Sequence, residues 1–322
     1  MKRERTGALS RREFLDRSLC RAAGLAGLAL AGGAGGAAVE PLQRKGAPRL
    51  RSSLAAYSFR DFFDKKDGGQ RLTMLDFVDY CADHGCDGTE VTSYYFPKEI
   101  TQDYLISLKR RAFLRGVAIS GTAVGNNFAR AAGPERDAEI AAVKKWVDYA
   151  SVIGAPHIRV FAGEPKGVAV SEAKRLCLQA FEECADYAGG KGVFLGLENH
   201  GGIVTVVSEL LDIVRAVRSP WFGVNLDTGN FFTEEDAYED MARLAPYAVN
   251  VQLKVEISRR GRGKGKEPTD LARVVRILRE ANYQGYVALE YESLDPWKEV
   301  PIWLDRMREA FAATAGARPA GA

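Results

Sequence analysis

Four short runs end aliphatic stretches in an acid or an amide: Leu195-Gly196-Leu197-Glu198-Asn199-His200, Val224-Asn225-Leu226-Asp227-Thr228-Gly229-Asn230, Asn250-Val251-Gln252-Leu253-Lys254 and Ala288-Leu289-Glu290-Tyr291-Glu292. Such a run reads as a buried strand whose last side chain reaches a polar end. One carboxylate of this kind can be a strand cap or half of an ion pair. Four acid or amide groups on successive strands point instead to a shared polar site, and positioned carboxylates there can take and return protons. Lys254 follows Gln252 by two residues, so both project from the same side of one strand. It either neutralises an oxyanion or pairs with Glu290 or Glu198. His200, two residues after Glu198, either orients a substrate and shuttles a proton or is a loop histidine bonded to backbone. His157 and Arg159 lie early on a further run, where a buried salt bridge is the better reading.

Eight strand-like runs must position these groups: Leu54–Ser58, Gly88–Ser93, Val117–Val124, His157–Ala162, Val193–Glu198, Phe222–Asp227, Val249–Val255 and Tyr286–Tyr291. Between them apolar residues recur at three- and four-residue spacing, as in Leu75, Val78 and Ala82, or Leu210, Ile213, Val214 and Val217, which predicts covering helices. Several strands start after a helix-ending glycine or proline, as at Gly154-Ala155-Pro156 and Ser219-Pro220. Strands alternating with helices imply parallel pairing, and eight units close into a single (β/α)8 TIM barrel of the α/β class. The alternative, an open doubly wound sheet, lacks support because no Gly-rich dinucleotide fingerprint or phosphate loop follows any strand. A last helix near Ile302–Ala312 would seal the barrel, and Gly316–Ala322 reads as a frayed end.

With 46% hydrophobic and 27% charged residues in 322, the chain has ordinary globular usage and can form one large core. A formal charge of +3 gives no electrostatic argument for nucleic acid. The N-terminus is more specific. Ser10-Arg11-Arg12-Glu13-Phe14-Leu15 precedes the Gly/Ala-rich stretch Ala22–Ala31, and Ala34–Val39 supplies small residues for cleavage. This resembles a twin-arginine signal over residues 1–39, followed by a barrel domain over 40–322. It implies the twin-arginine export machinery as partner, a periplasmic location and no stable membrane anchor, since about ten apolar residues are too few to span a bilayer. Cys81 and Cys86 on one predicted helix, and Cys177 and Cys184 on another, are poorly spaced for disulfides and read as core thiols.

At its strand ends the chain resembles the xylose isomerase-like barrels of the sugar phosphate isomerase/epimerase family, over nearly everything from Leu50 to Ala312. In that family a glutamate, an aspartate, a histidine and a glutamate on strands five to eight hold one divalent metal, and the two glutamates also move protons. The resemblance carries these roles to Glu198, Asp227 and Glu290. Two positions depart: Gln252 stands where a histidine is usual on strand seven, and Asn230 where a substrate-contacting histidine is usual. A ligand set of Glu198, Asp227, Gln252 and Glu290 is all hard oxygen, which favours Mg²⁺ or Mn²⁺ over Co²⁺ or Zn²⁺.

The resemblance further implies a small-molecule sugar substrate and isomerisation or epimerisation through an enediolate, with Glu198 and Glu290 as catalytic candidates; the positions of His200 and Lys254 add those two. The same enolate can expel a leaving group, so a lyase or hydratase on a 3-keto sugar or glycoside shares the first step. A non-catalytic sugar-binding barrel is the third reading. Glu90, at the end of strand two, can contact sugar hydroxyls or Lys254. Tyr57, Tyr94, Tyr95, Phe96 and Trp297 can form a wall for sugar rings, with Tyr57 and Trp297 the principal candidates. The run Arg259–Lys266 looks like a nucleic-acid patch, and DNA-repair endonucleases share this fold. Those depend on histidine-rich zinc sites, and this chain has 3 histidines, so no nucleic-acid partner is expected.

Overall fold

In the computed structural model the described residues are 40–63, 71–232, 236–258 and 265–313. The expected export signal, the first six residues of the basic run (259–264) and the C-terminal end lie outside them. The chain divides by contacts into Met1–Ala37 and Ala38–Ala322, and the second of these units carries the barrel.

Among the described residues eight parallel strands alternate with eight longer helices: β1 Arg49–Ala55, α1 Met74–Asp83, β2 Gly88–Thr92, α2 Gln102–Leu114, β3 Ala118–Ala123, α3 Pro134–Ile153, β4 His157–Val160 and α4 Val170–Gly189, then β5 Phe194–Glu198, α5 Val207–Ala216, β6 Phe222–Asp227, α6 Ala237–Leu244, β7 Ala248–Leu253, α7 Leu271–Glu280, β8 Gln284–Leu289 and α8 Pro296–Ala313. They close in the order β1-β8-β7-β6-β5-β4-β3-β2, the (β/α)8 barrel that the alternation predicted. A two-residue ladder, Glu256–Ile257 with Glu267–Pro268, decorates the loop after β7.

Local chemistry sets the boundaries. Thr73 starts α1 with a reciprocal capping box to Asp76, which satisfies donors that the first helical turn leaves free. Gly154 ends α3 with φ +82°, a left-handed turn suited to glycine. Helix α1 stops at Asp83, so Cys86 lies beyond it rather than on it. All four described cysteines are free and buried, and burial pushes the Cys177 and Cys184 thiols up to about 12.

The first strand is the main revision. It begins at Arg49, five residues before the predicted start, and Ala56–Phe59 forms a 3₁₀ turn instead of its end. Arg49–Leu54 pair residue by residue with Gln284–Leu289, and this pairing holds a segment whose two arginines and two serines hide the apolar run. The turn carries Tyr57 over the barrel mouth.

Strand side chains alternate by chemistry. On β6, Phe222, Val224 and Leu226 lie in the apolar cluster, as do Val251 and Leu253 on β7, and Phe222 meets Phe181 of α4 at 5.2 Å. The intervening residues, Asn225, Asp227, Asn250 and Gln252, are polar and at most 2% exposed. They line the lumen, where many barrels carry bulky aliphatic layers.

Candidate active site

Deep in the barrel the lumen is a closed polar network. Gln252 Nε2 donates to Glu90 Oε1 at 2.7 Å and Asn250 Nδ2 donates to Glu90 Oε2 at 2.7 Å. Because β2 and β7 are three places apart around the barrel, these bonds can only cross the lumen. Asn225 Nδ2 donates to Gln252 Oε1 at 2.6 Å, and Asn250 Nδ2 also reaches Asn225 Oδ1 at 2.9 Å. Leaving any of these groups unpaired would cost about 1–3 kcal/mol. His157 Nε2 lies 3.9 Å from Glu90 Oε2. Burial, with the nearby Glu290 charge, raises the Glu90 carboxyl to about 7, and burial lowers the His157 imidazole to about 4.

Above this layer a cavity of about 210 Å³ opens at the carboxyl ends of the strands, lined by Tyr57, Tyr94, Arg159, Phe161, Glu198, His200, Asn230, Lys254, Glu290 and Glu292. Glu198, the last residue of β5, has Arg159 Nε 2.8 Å from its Oε2 and accepts from Asn230 Nδ2 on Oε1 at 3.0 Å. Lys254, just past β7, places Nζ 2.7 Å from Glu290 Oε1, 3.1 Å from Glu292 Oε1 and 3.4 Å from Asp227 Oδ2. Asp227 Oδ1 accepts the backbone N–H groups of Gly229 and Asn230 at 2.7 and 3.2 Å, so that oxygen shapes the β6 turn.

Among the described residues three carboxylates, Glu198, Glu290 and Glu292, therefore line the mouth with two cations, Arg159 and Lys254, and a fourth, the fully buried Asp227, reaches Lys254 from beside it. The acids are in excess. Burial, reinforced by neighbouring carboxylates, moves Glu198 and Asp227 above the ordinary carboxylate range despite Arg159 and Lys254. Burial, helped by Arg159 and Lys254, lowers the His200 imidazole, which favours its neutral form, and the ring packs on Phe161 at 4.4 Å.

The divalent metal implied by the family resemblance does not fit these residues. Both ends of the Gln252 amide are committed inside the lumen, and turning the amide over would set its oxygen against the Glu90 carboxylate. Glu198 is engaged by Arg159, while Asp227 and Glu290 face a lysine ammonium. With Lys254 in place, no group of three or more His, Cys, Asp or Glu side chains among the described residues is spaced to hold a metal ion.

Of the residues read from the sequence, Glu198, His200, Asn230, Lys254, Glu290 and Tyr57 meet at the mouth. Glu90 and Gln252 do not; they sit one layer down and bond each other. Trp297 packs with Phe59, Phe62 and Tyr80 at 4.7, 5.3 and 5.4 Å, and Tyr95 stacks on Phe63 at 4.5 Å, so neither lines the cavity. Arg159 forms the expected salt bridge and also lines the mouth, a role its early strand position concealed. Glu292 and Phe161 were missed as lining residues, although the two-residue period from Glu290 and from Arg159 places them on the same side. Among the described residues, no helix is long and apolar enough to cross a membrane.

A family model for the xylose isomerase-like TIM barrel matches residues 78–308. No curated protein sequence matches the chain. Several solved structures are similar at low identity. A D-psicose 3-epimerase determined in the presence of D-fructose has a TM-score of 0.64 at 17% identity, covering 82% of this chain and 98% of that one. A xylose isomerase domain protein from Alicyclobacillus acidocaldarius subsp. acidocaldarius has a TM-score of 0.65 at 17% identity, covering 83% and 100%. The 3-keto-D-glucoside 4-epimerase YcjR from E. coli has a TM-score of 0.60 at 14% identity, covering 81% and 99%.

Proposed function

The chain belongs to the xylose isomerase-like TIM barrel family, and from that premise we propose that it is a sugar epimerase or isomerase whose chemistry is proton transfer beside a carbonyl. The observation that carries this reading is one cavity with two glutamates from different strands, Glu198 and Glu290, and a buried ammonium, Lys254, bonded to the second. Two of the similar structures are named as sugar epimerases, which supports the substrate class. The cavity is smaller than the roughly 300 Å³ at which drug-sized pockets begin, so a single sugar ring suits it.

The residues divide the work. Lys254 and Arg159 supply positive charge where a carbonyl oxygen gains negative charge, without rearranging at the moment of reaction. Glu198, held above the usual carboxylate range, exchanges protons near neutral pH, where a base is most effective. Glu290 provides the second carboxylate, so that one removes a proton and the other returns it on a different face or carbon. Neutral His200 and Asn230 orient hydroxyl groups, and Tyr57, Tyr94 and Phe161 form the wall against which the ring packs. This chain's own residues suffice for these steps, and the Mg²⁺ or Mn²⁺ of the resemblance enters none of them.

A lyase acting on a 3-keto glycoside is the second reading. It is favoured by a neighbouring cavity of about 190 Å³ lined by Asn126, Asn127, Phe161 and Glu164 that also borders Glu198 and His200, which gives room for a leaving group. Incubating the protein with ketoses and 3-keto glycosides and resolving products by NMR separates the two: new epimers or aldose–ketose pairs mark the first, and released aglycone marks the second. Unchanged substrates throughout would favour a binding-only barrel. We also infer that Arg11-Arg12 directs the folded protein through the twin-arginine machinery to the periplasm, on the strength of the signal-like N-terminus.

A further inference from the structure

The metal-ligating strand ends of the resemblance survive in this chain with a lysine among them. We propose that Lys254 is the resident cation of the mouth, standing in for a divalent metal, so that the site works metal-free and becomes metal-binding only when the lysine is removed. Only the catalytic consequence of this rests on the proposed sugar chemistry.

Three independent features make Lys254 a built position. Its ammonium is ringed by carboxylate oxygens of Asp227, Glu290 and Glu292, all within 3.4 Å, the arrangement that three acids make around a cation. Its backbone is clamped on both sides: its N–H donates to Thr228 Oγ1 at 2.9 Å, and its carbonyl accepts from Thr269 Oγ1 at 2.7 Å. Its stem also has reserved space, because a Cβ on Gly229 would lie 2.6 Å from Lys254 Cγ. The φ of Gly229 is not in the left-handed region, so clearance for the lysine is what the missing side chain provides.

A cation so placed neutralises acids that would otherwise repel one another in a buried site. A divalent ion would have to displace it and would meet its positive charge at close range. Removing the charge reverses this: the three acids lose their counter-ion, and their oxygens are hard ligands for Mn²⁺ or Mg²⁺.

The test measures metal content and melting, neither of which depends on turnover, so it fails or succeeds apart from the sugar reading. Wild-type protein should melt at the same temperature in EDTA, Mg²⁺ and Mn²⁺, and should hold well under one Mn²⁺ per chain by equilibrium dialysis. Lys254→Met should melt lower in EDTA, take up about one Mn²⁺ per chain, and regain roughly 5 °C or more at saturating Mn²⁺ by mass action. Lys254→Arg, which keeps the cation, should stay metal-free. Stoichiometric Mn²⁺ on wild type with a raised melting temperature overturns the proposal, as does a folded Lys254→Met that gains no metal. If Lys254→Met does not fold, the wild-type and Lys254→Arg arms decide it alone.

Discussion

Glu198 and Glu290 differ in their immediate partners, Arg159 for one and Lys254 for the other, yet the proposed chemistry needs both as proton carriers. Glu198→Gln and Glu290→Gln preserve shape while removing the ionisable group, so each should lower kcat at least about a hundredfold, the scale for losing a positioned acid or base. Steady-state kinetics on the identified sugar check this, and near-normal turnover in both would move the acid–base pair elsewhere. His157 offers a second residue-level test. Its native imidazole is depressed to about 4 from an ordinary 6.5, so the folded state favours the neutral ring. The associated stability is fully present above pH 6.5 and is lost as pH falls towards 4. The stability penalty of His157→Gln should therefore shrink by about 2 kcal/mol between pH 7 and pH 5 in urea unfolding; a pH-independent penalty contradicts the buried neutral histidine. Glu290, Asp227, Glu198 and Lys254 were legible in the sequence because each closes or just follows an aliphatic run. Gln252 and Glu90 were not placed correctly, because the two-residue period shows which side a residue faces but not how deep in the lumen it lies.

At the level of elements, strands β2 to β8 fall within two residues of the runs read from the sequence, since buried parallel strands announce themselves as aliphatic stretches. Strand β1 did not, because Arg49 and Arg51 begin it at the amino-terminal end of the barrel, where chain polarity outweighs the apolar signal. The β3–β4 contact tests the packing of the polar lumen. A Cβ on Gly121 would lie 1.9 Å from His157 Cε1, and the imidazole is 3% exposed, so it has little room to yield. Gly121→Ala should destabilise by about 1–3 kcal/mol through overpacking. In the double variant Gly121→Ala/His157→Ala the added methyl meets no ring, so the two losses should fall short of additive. Fully additive losses in urea unfolding would mean that the imidazole does not occupy that space. The amide network of Asn225, Asn250 and Gln252 could have been found from the same alternation that marked Asp227, but polar residues inside a strand carry no signal of which strand across the lumen they meet.

For the whole molecule, the barrel was legible because eight strand–helix alternations leave few topologies, whereas the proposed replacement of metal by lysine depends on side chains converging from the ends of β6, β7 and β8, which sequence order does not reveal. The proposed export has its own check. Changing Arg11 and Arg12 together to Lys should leave full-length precursor in the cytoplasm, because lysine lacks the planar guanidinium fork; normal periplasmic appearance of that variant removes the export reading. The most direct test of the site is exchange of substrate C–H into heavy water, followed by NMR in the presence of EDTA across ketoses and 3-keto glycosides. Wild-type protein should incorporate deuterium at the carbon beside the carbonyl of at least one of them, at a rate that EDTA leaves unchanged and that the Glu198→Gln/Glu290→Gln double variant loses. Exchange abolished by EDTA and restored by Mn²⁺, or no exchange with any sugar, would contradict metal-free proton transfer at the barrel mouth.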